Sequence, residues 1–389
     1  MRIGRLHNTD ITLLLCTLAA TVVGILMVYS ATQSSIGSTL SFNDEVVKQA
    51  IYGAIGFVLM LVVLRMDYRF LESFTLPFYF GTLALLGLVM LLGVNNFGSQ
   101  RWLQLGFIPL QPSELAKLSL IVMLAKVLSD HEKELHKVKW FVLAGILTLI
   151  PAAIVFKQPD LGTAIMLSAI FLGMTVGARI PARFFVVSGI LAVPVIYAFW
   201  TWLIHDYQRK RLLIFLNPES DLLGAGYNIV QARITIGSGG WFGQGYLGGS
   251  QSQLDFLPVQ YSDFIFSVVA EQFGLVGSVA LMALLFIVVW RCLIVASRAP
   301  NTFGTLIAVG VATWIGVQIF INIGMNIGLM PVTGIPLPFI SYGGSSLMSI
   351  LLGLGLVQSV AAQSSTVVFG GNQWSPGWTR AGRTTLRPR

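Results

Sequence analysis

The chain has 389 residues, of which 55% are hydrophobic and only 10% are charged. Because soluble domains carry roughly 25% charged residues, this composition excludes an ordinary cytosolic enzyme. The formal net charge is +8, a value that also occurs in nucleic-acid-binding proteins, so the positions of the basic residues have to be considered.

About ten stretches are long and apolar enough to cross a membrane, which takes about 20 residues for about 30 Å of hydrocarbon. They lie at 9–31, 46–65, 74–94, 112–129, 139–157, 161–177, 182–204, 264–290, 302–328 and 343–362. The first stretch is too long for a signal peptide, so we expect an uncleaved helix. The sequence therefore predicts an all-α polytopic membrane protein, with one transmembrane domain over residues 1–365.

The basic residues indicate how these helices are oriented. When the loops are assigned alternately to the two sides, most Lys and Arg residues fall on the side of the N-terminus, among them Arg65, Lys133, Arg183 and Arg298. Cytoplasmic loops carry such an excess, so both termini are predicted to be cytoplasmic. The tail, residues 366–389, is basic and rich in Gly and Thr, and is predicted to be disordered. The charge is thus a topology signal, and no nucleic-acid partner is expected.

Two of the predicted outer loops are longer than the others. The first covers residues 95–111, and the second covers residues 205–263. A loop of the second length is usually functional or disordered. Since it contains Trp241, Phe242 and Tyr246, we expect it to be ordered against the membrane.

Two patterns that often mark a binding site do not indicate one in this sequence. Residues Gly243 to Gly248 match G-x-G-x-x-G, but no strand–turn–helix unit surrounds them, which argues against a dinucleotide site. The four histidines are dispersed and give no spacing typical of metal ligands.

Ionisable residues inside membrane helices need a physical reason, because they cost about 2.5–3.5 kcal/mol at the helix centre. Glu114 and Lys117 lie three apart on one helix face, just after Gln111 and Pro112, where proline suits a helix start. They could form a self-neutralising ion pair. Alternatively, Lys117 faces an anionic ligand and Glu114 holds it in place.

Two aspartates stand at the starts of predicted spans. Asp160 opens the sixth, where it could serve as a helix N-cap. Asp263 opens the eighth, although Ser262 could serve as the cap instead. Ser267 and Glu271 follow on the same helix side, and two acids pointing the same way into a bundle would line a cavity.

Basic residues on the outer side form a further group. The positive-inside rule disfavours them there, so several are expected to contact phosphate or a partner. A solvated loop face remains open for Lys210 and Arg211. The group comprises Arg101, Lys157, Arg209, Lys210, Arg211 and Arg233.

Four blocks stand out together between about residues 95 and 360. The first is Arg101-Trp102 with Gln111-Pro112-Ser113-Glu114-Leu115-Ala116-Lys117, and the second is Gln158-Pro159-Asp160-Leu161-Gly162-Thr163. The third is Gly237 to Gly240 with Gln251 to Leu254 and Ser262-Asp263-Phe264-Ile265-Phe266. The fourth is Asn322 to Pro331 with Gly334-Ile335-Pro336-Leu337-Pro338-Phe339-Ile340-Ser341-Tyr342-Gly343-Gly344. In this combination the chain resembles the SEDS family (shape, elongation, division and sporulation). Ser250 to Gln253 resembles the RodA branch rather than the FtsW branch. Departures from the family pattern are Val259, Tyr261, Ser262 and Gln272.

The resemblance implies a peptidoglycan glycosyltransferase that polymerises lipid II at the outer face of the bacterial cytoplasmic (inner) membrane during cell elongation. It also implies two kinds of partner, a class B penicillin-binding protein that cross-links the strands and the membrane proteins of an elongation complex. Asp263 falls on the family's essential acidic position in the large outer loop.

The chemistry of this reaction needs few protein groups. Pyrophosphate is a good leaving group, so one base and several cations suffice. Asp263 is the candidate general base or metal-positioning acid, and Arg101, Lys117 and Arg233, with Arg209 as a weaker candidate, are expected to hold the diphosphate. A divalent cation such as Mg²⁺ or Mn²⁺ is compatible with this chemistry, although no ligand cluster requires one. The residues expected to support the site are Gln111, Glu114, Asp160, Ser267, Glu271 and Ser341.

Two other functions fit the same features. A flippase for lipid-linked precursors would also have many spans and intramembrane charges, but its key charges are expected near the midplane. A non-catalytic scaffold that activates a penicillin-binding protein would tolerate substitution of Asp263, whereas an enzyme would not.

Overall fold

The computed structural model describes residues 9–32, 44–96, 99–105, 108–198, 201, 209, 213–221, 225–254, 256–257 and 259–364. The tail that the sequence predicts to be disordered lies outside the described residues, as do Lys210 and Arg211.

The described chain is almost entirely helical, which confirms the predicted all-α fold. Most of its long helices begin and end within about four residues of the predicted apolar stretches. The exceptions are α7, which ends at Ala198 where the prediction ended at 204, and α10, which runs to Arg298 where the prediction ended at 290. Two shorter helices lie in the large outer loop. The helices are α1 Ile11–Thr32, α2 Glu45–Arg65, α3 Phe70–Leu92, α4 Pro112–Asp130, α5 Val138–Lys157, α6 Leu161–Gly177, α7 Ala182–Ala198, α8 Ala225–Ser238, α9 Ser250–Gln253, α10 Ile265–Arg298, α11 Thr302–Asn326 and α12 Gly344–Ser364.

Within the described part of the chain, 7 helices are long and apolar enough to cross a membrane. They are α1, α2, α3, α5, α10, α11 and α12. Helix α4 carries four charged residues, and α6 and α7 are shorter. The total of ten spans and the cytoplasmic position of both termini therefore stay predictions.

The helices differ in how much of their surface is covered by protein. In their most apolar stretches α11 and α12 are 67% and 89% buried, whereas α3 is only 28% buried. Helix α2 packs along α12, and α10 packs along α11. Glycines allow α6 to approach α11 closely, since a Cβ at Gly173 or Gly177 would meet Thr313 or Val309 within 3 Å. Helices α11 and α12 therefore form the centre of the bundle.

The first long outer loop contains a small antiparallel sheet that the sequence analysis did not predict. Its strands are β1 Val94–Asn96, β2 Ser99–Leu105 and β3 Ile108–Leu110, in the order β1-β2-β3. Strand β2 pairs with β1 at Trp102↔Val94 and with β3 at Leu103↔Leu110. This sheet positions Arg101 at the predicted outer end of the bundle.

Helix α10 is broken at Gly274, which has φ 64° and ψ −162°. Residues 239–245, here called the inserted loop, satisfy the backbone groups that the break leaves open. Loop carbonyls accept the N–H groups of the two residues after Gly274 at 2.9 and 3.1 Å. In return, loop N–H groups bond to the carbonyls of Glu271 and Gln272 at 2.9 and 3.0 Å. Such pairing is essential for a helix that enters lipid, where water cannot satisfy the backbone.

The glycines of the inserted loop are needed for this close contact. A Cβ at Gly243 would lie 2.2 Å from the carbonyl oxygen of Gln272, and a Cβ at Gly239 would lie 1.9 Å from that of Ala270. Gly243 also has a φ of 78°, which side chains rarely adopt. The pattern that resembles a nucleotide motif thus packs the loop against α10. The order of the large outer loop against the membrane stays a prediction.

Candidate functional site

Asp263 lies just before α10, at its predicted outer end. The N-cap position of the helix belongs to Phe264, so Asp263 stands one residue before the cap. Its side chain is partly exposed, and one carboxylate oxygen accepts a hydrogen bond from Ser262 Oγ at 3.1 Å. The other oxygen faces Gly334, where a Cβ would lie 3.7 Å away. The carboxylate is therefore accessible beside the loop that contains Gly334.

The backbone of Asp263 is held by two asparagines of α11. Its carbonyl oxygen accepts hydrogen bonds from Asn322 Nδ2 at 3.2 Å and from Asn326 Nδ2 at 3.1 Å. The Oδ1 of Asn326 accepts a further bond from Ser267 Oγ at 2.8 Å. Both asparagines are fully buried. Ser267 was among the residues predicted to support the site, whereas Asn326 was not. The signal for Asn326 is a second amide four residues after Asn322 in an apolar span.

Ser341 supports the same segment from the opposite side. Its hydroxyl donates to the carbonyl of Ser262 at 2.6 Å and accepts the N–H of Leu337 at 2.7 Å. Gln49 of α2 donates to the carbonyl of Ser341 at 3.1 Å. The segment carrying Asp263 is thus fixed by α2, α11 and the 331–341 loop together.

Arg101 and Asp160 meet at the junction of α5 and α6. The guanidinium of Arg101 donates to the carbonyls of Gln158, at 3.1 Å, and of Pro159. It lies 4.0 Å from the carboxylate of Asp160. Asp160 itself accepts the N–H and the hydroxyl of Thr163, at 3.1 and 2.9 Å. The N-cap interpretation of Asp160 is therefore confirmed, and Arg101 reinforces the junction while its side chain stays 28% exposed.

One loop connects this junction with Asp263. At Gly162, in the first turn of α6, a Cβ would lie 3.0 Å from the carbonyl oxygen of Thr333 and 2.9 Å from the side chain of Ile335. Gly334, between those two residues, faces the carboxylate of Asp263. The 331–341 loop therefore separates the aspartate from the junction that holds Arg101.

Glu114 and Lys117 form a buried ion pair, which both interpretations predict. The ammonium of Lys117 lies 2.8 Å from Oε1 of Glu114, and the two side chains are 2% and 5% exposed. The ammonium also lies 5.0 Å from the centre of the Trp314 ring, a cation–π distance. Diphosphate binding by Lys117 stays a prediction, and it would require access to this buried group. The backbone N–H of Gln111, just before the pair, donates to Ser345 Oγ at 3.2 Å.

Arg233 and Arg209 are exposed. Arg233, on α8, donates to the carbonyl of Gly328 at 3.1 Å. That carbonyl lies just after α11, where the helix end carries partial negative charge. Arg233, Arg209 and the exposed part of Arg101 are thus the predicted diphosphate ligands that solvent reaches.

Glu271 does not line a cavity with Asp263, so that prediction is wrong. Its side chain is fully buried, and its carboxylate accepts the N–H groups of Gln251 and Ser252 at 2.7 and 3.0 Å. The reason is the break at Gly274, which brings the outer loop onto this turn of α10. Glu271 is thus a support for the outer loop, and the neighbouring Gln272 donates to Ser30 of α1 at 2.6 Å.

Two apolar recesses lie between α10 and α11. Their volumes are about 340 and 350 Å³, and both are lined by Met282, Ile323 and Ile327.

Among the described residues, no group of three or more His, Cys, Asp or Glu side chains could hold a metal ion. The residues around Asp263 therefore do not fit a metal site built from protein ligands alone. Magnesium is more often held by one or two carboxylates together with the phosphates of a substrate.

Comparisons with known proteins agree with this architecture. The peptidoglycan glycosyltransferase MrdB of Escherichia coli strain K12 is 40% identical over 353 residues, covering 91% of this chain and 93% of MrdB. The peptidoglycan glycosyltransferase RodA of Treponema pallidum is 35% identical, covering 93% of this chain and 100% of RodA. Proteins called FtsW also match, such as a probable peptidoglycan glycosyltransferase of Geobacter metallireducens at 37% identity.

Solved structures match as well. A chain from a study of the structural coordination of polymerization and crosslinking by a peptidoglycan synthase complex has a TM-score of 0.80 at 32% identity, covering 92% of this chain and 98% of that chain. The rod shape determining protein RodA of Thermus thermophilus has a TM-score of 0.67 at 29% identity, covering 91% and 96%. The family model of FtsW, RodA and SpoVE, described as cell cycle protein, matches residues 10–366. The chain therefore belongs to the FtsW/RodA/SpoVE family, which is the SEDS family, and is RodA-like within it.

Proposed function

We propose that this protein is a peptidoglycan glycosyltransferase that polymerises lipid II into glycan strands during cell elongation. The relatives named as peptidoglycan glycosyltransferases support this activity. The observation that carries the proposal is the setting of Asp263, a partly exposed carboxylate on a backbone that buried amides hold rigidly. An accessible and fixed carboxylate is what a general base requires.

In the proposed reaction Asp263 removes the proton from the acceptor sugar hydroxyl. The hydroxyl oxygen then forms a bond to the anomeric carbon of the donor sugar, while the bond from that carbon to the pyrophosphate oxygen breaks. The electron pair leaves with the lipid diphosphate, and the proton stays on Asp263 until it passes to solvent. A second carboxylic acid is unnecessary because the leaving group needs no protonation, in contrast to glycoside hydrolysis.

The developing charge on the diphosphate needs cations. Arg233 and Arg209 are the exposed candidates, and Arg101 is partly exposed at the α5–α6 junction. Lys117 is the least accessible of the proposed diphosphate ligands because its side chain is buried, where it pairs with Glu114. A divalent cation would be held chiefly by diphosphate oxygens, with Asp263 as a candidate protein ligand, and would supply further charge neutralisation.

We further propose a class B penicillin-binding protein as partner, within an elongation complex of membrane proteins. The similarity to a chain from a peptidoglycan synthase complex supports this assignment. In the proposed arrangement the protein is embedded in the bacterial cytoplasmic (inner) membrane, with Asp263 facing outward. The excess of basic residues on the opposite side supports that orientation.

The test is polymerisation of purified lipid II in liposomes, with the partner present and its transpeptidase blocked. Wild type, Asp263→Asn and Asp130→Asn are compared. Asp130 is the matched control. It is a half-exposed acid at the last residue of α4, in an ion pair with Lys126. We expect Asp263→Asn to lose about 100-fold or more in rate, and Asp130→Asn to polymerise like wild type.

Other outcomes point to the other two functions. Equal strand synthesis by Asp263→Asn and wild type would remove the base assignment. No synthesis by wild type, together with movement of lipid II between leaflets, would favour a flippase. No synthesis but faster cross-linking by the unblocked partner would favour a scaffold.

A further inference from the structure

Asn326 bridges two backbone groups at the start of α10. The N–H of Ser267 lies in the first turn of the helix, where no helical carbonyl is available four residues earlier, and the carbonyl of Asp263 lies just outside the helix. Here the carboxamide of Asn326 bonds to both groups: Nδ2 donates to that carbonyl at 3.1 Å, and Oδ1 accepts the N–H of Ser267 at 3.3 Å. The N–H of Ser267 also bonds to Phe264 at 3.0 Å. The turn is thus held open, with Asp263 outside the helix.

Asn322 connects Asp263 with the loop that faces its carboxylate. Its Nδ2 donates to the carbonyl of Asp263 at 3.2 Å and to the carbonyl of Ile335 at 2.8 Å. Ile335 directly follows Gly334, the residue beside the carboxylate. One amide group therefore sets the distance between the aspartate backbone and the opposite wall of the site.

The two asparagines are coupled to each other. Nδ2 of Asn326 also donates to the backbone carbonyl of Asn322 at 2.9 Å. Both side chains have no exposed surface. Burying an amide costs several kcal/mol unless its hydrogen bonds are made, so this pair is stable only while the carbonyl of Asp263 stays in place.

We infer that Asn322 and Asn326 are positioning residues that fix the direction of the Asp263 carboxylate toward the acceptor sugar hydroxyl. Both are fully buried, so they act through the backbone of Asp263 and, for Asn322, also through the carbonyl of Ile335. This inference rests on the proposed role of Asp263 as the base. It adds a dependence of the chemical step on two residues of α11.

The test measures kcat and KM for lipid II with Asn322→Leu and Asn326→Leu, in the complex with the partner. Leucine has nearly the same size and makes no hydrogen bonds. A small displacement of a catalytic group costs on the order of 100-fold in rate, so we expect kcat to fall about 10- to 100-fold. We expect KM to stay within about threefold, because substrate binding groups are untouched. The acidic limb of the pH–rate profile should shift as the carboxylate changes its surroundings.

Gln358→Met is the matched control. Gln358 is another fully buried amide in a central helix, and it accepts the N–H of Asp10 at 2.9 Å and donates to the carbonyl of the same residue at 2.8 Å. It lies at the opposite end of the bundle from Asp263. Its loss should lower the melting temperature as much as the asparagine variants do, while kcat and the pH–rate profile stay those of wild type.

Ser267→Ala keeps the experiment decisive if the leucine variants fold poorly. It removes only the 2.8 Å bond from Ser267 Oγ to Asn326, so we expect a fall in kcat of about three- to tenfold. If the asparagine variants fold and keep the wild-type kcat, the inference is overturned. If they do not fold, a wild-type kcat in Ser267→Ala overturns it. A rise in KM alone would also overturn it. If instead Asp263→Asn itself were fully active, the proposed base would be wrong, so the two failures are distinguishable.

Discussion

At the scale of single residues, the buried pair of Glu114 and Lys117 makes a clear prediction. Removing one partner leaves an uncompensated charge in the bundle, which costs about 3–5 kcal/mol. We therefore expect Glu114→Gln and Lys117→Met each to lower the melting temperature strongly. The double variant Glu114→Gln/Lys117→Met should regain most of the loss, because neither charge remains.

Thermal unfolding of the four proteins in one detergent measures this effect. Additive losses in the double variant would contradict a mutually neutralising pair. Polymerase assays on the same proteins then test the predicted role of Lys117. Activity that returns with stability would limit Lys117 to structure, and activity that stays lost would assign it to the diphosphate.

Single residues were predictable where their role depends on near neighbours in the sequence. Asp160 reads as a helix cap because its partner, Thr163, is three residues away. Glu271 was misread because helical periodicity assumes an unbroken helix, and Gly274 interrupts α10 three residues later. Asn326 was missed because its partners, Asp263 and Ser267, are about 60 positions away.

At the scale of elements, the contact between the inserted loop and α10 leads to a prediction for glycine substitutions. Gly243→Ala places a Cβ 2.2 Å from a backbone oxygen that cannot move aside. We expect a loss of about 2 kcal/mol or more in the free energy of unfolding. Gly237→Ala is the control, since a Cβ at this position in α8 would meet nothing within 4 Å. It should be neutral or stabilising by up to about 1 kcal/mol.

Thermal or denaturant unfolding of the two variants beside wild type checks this prediction. If Gly243→Ala and Gly237→Ala were equally stable, the inserted loop would not be packed against the break of α10 at Gly274. A loss of stability in Gly243→Ala alone would support the packing of the inserted loop against α10.

Most ends of the membrane helices were predictable to within about four residues, because runs of about 20 apolar residues are rare in soluble domains and match the thickness of the bilayer. The ends of α7 and α10 were not. The small sheet at 94–110 was not, because two of its strands have only 3 residues. Strands that short are too brief for alternation of apolar and polar residues to be recognised.

At the scale of the whole molecule, the orientation in the membrane can be tested by cysteine labelling. Cys16 and Cys292, the free cysteines of the described chain, are first replaced by alanine. Lys157→Cys then places a single thiol at the exposed last residue of α5, and Lys133→Cys places one at an exposed position five residues before the helix begins. A membrane-impermeant maleimide should label Lys157→Cys in intact cells, and Lys133→Cys only after permeabilisation. The reverse pattern would place Asp263 on the cytoplasmic side.

The arrangement of the helices could not be predicted from the sequence, for a physical reason. Lipid and protein interior are about equally apolar, so hydropathy does not reveal which helices are central. Helix α12 is the least hydropathic of the seven long apolar helices and yet the most buried. Its position follows from packing by small residues and from polar contacts such as that of Gln358 with Asp10.

The break at Gly274 also has a consequence for biogenesis. The inserted loop precedes the break in the sequence, so it is synthesised before Gly274 and the rest of α10. The backbone groups that the break leaves open are paired by this loop, and unpaired backbone groups are costly in lipid. We therefore expect this part of α10 to insert stably only together with the inserted loop. A graft between relatives should carry the loop and the first third of α10 as one unit.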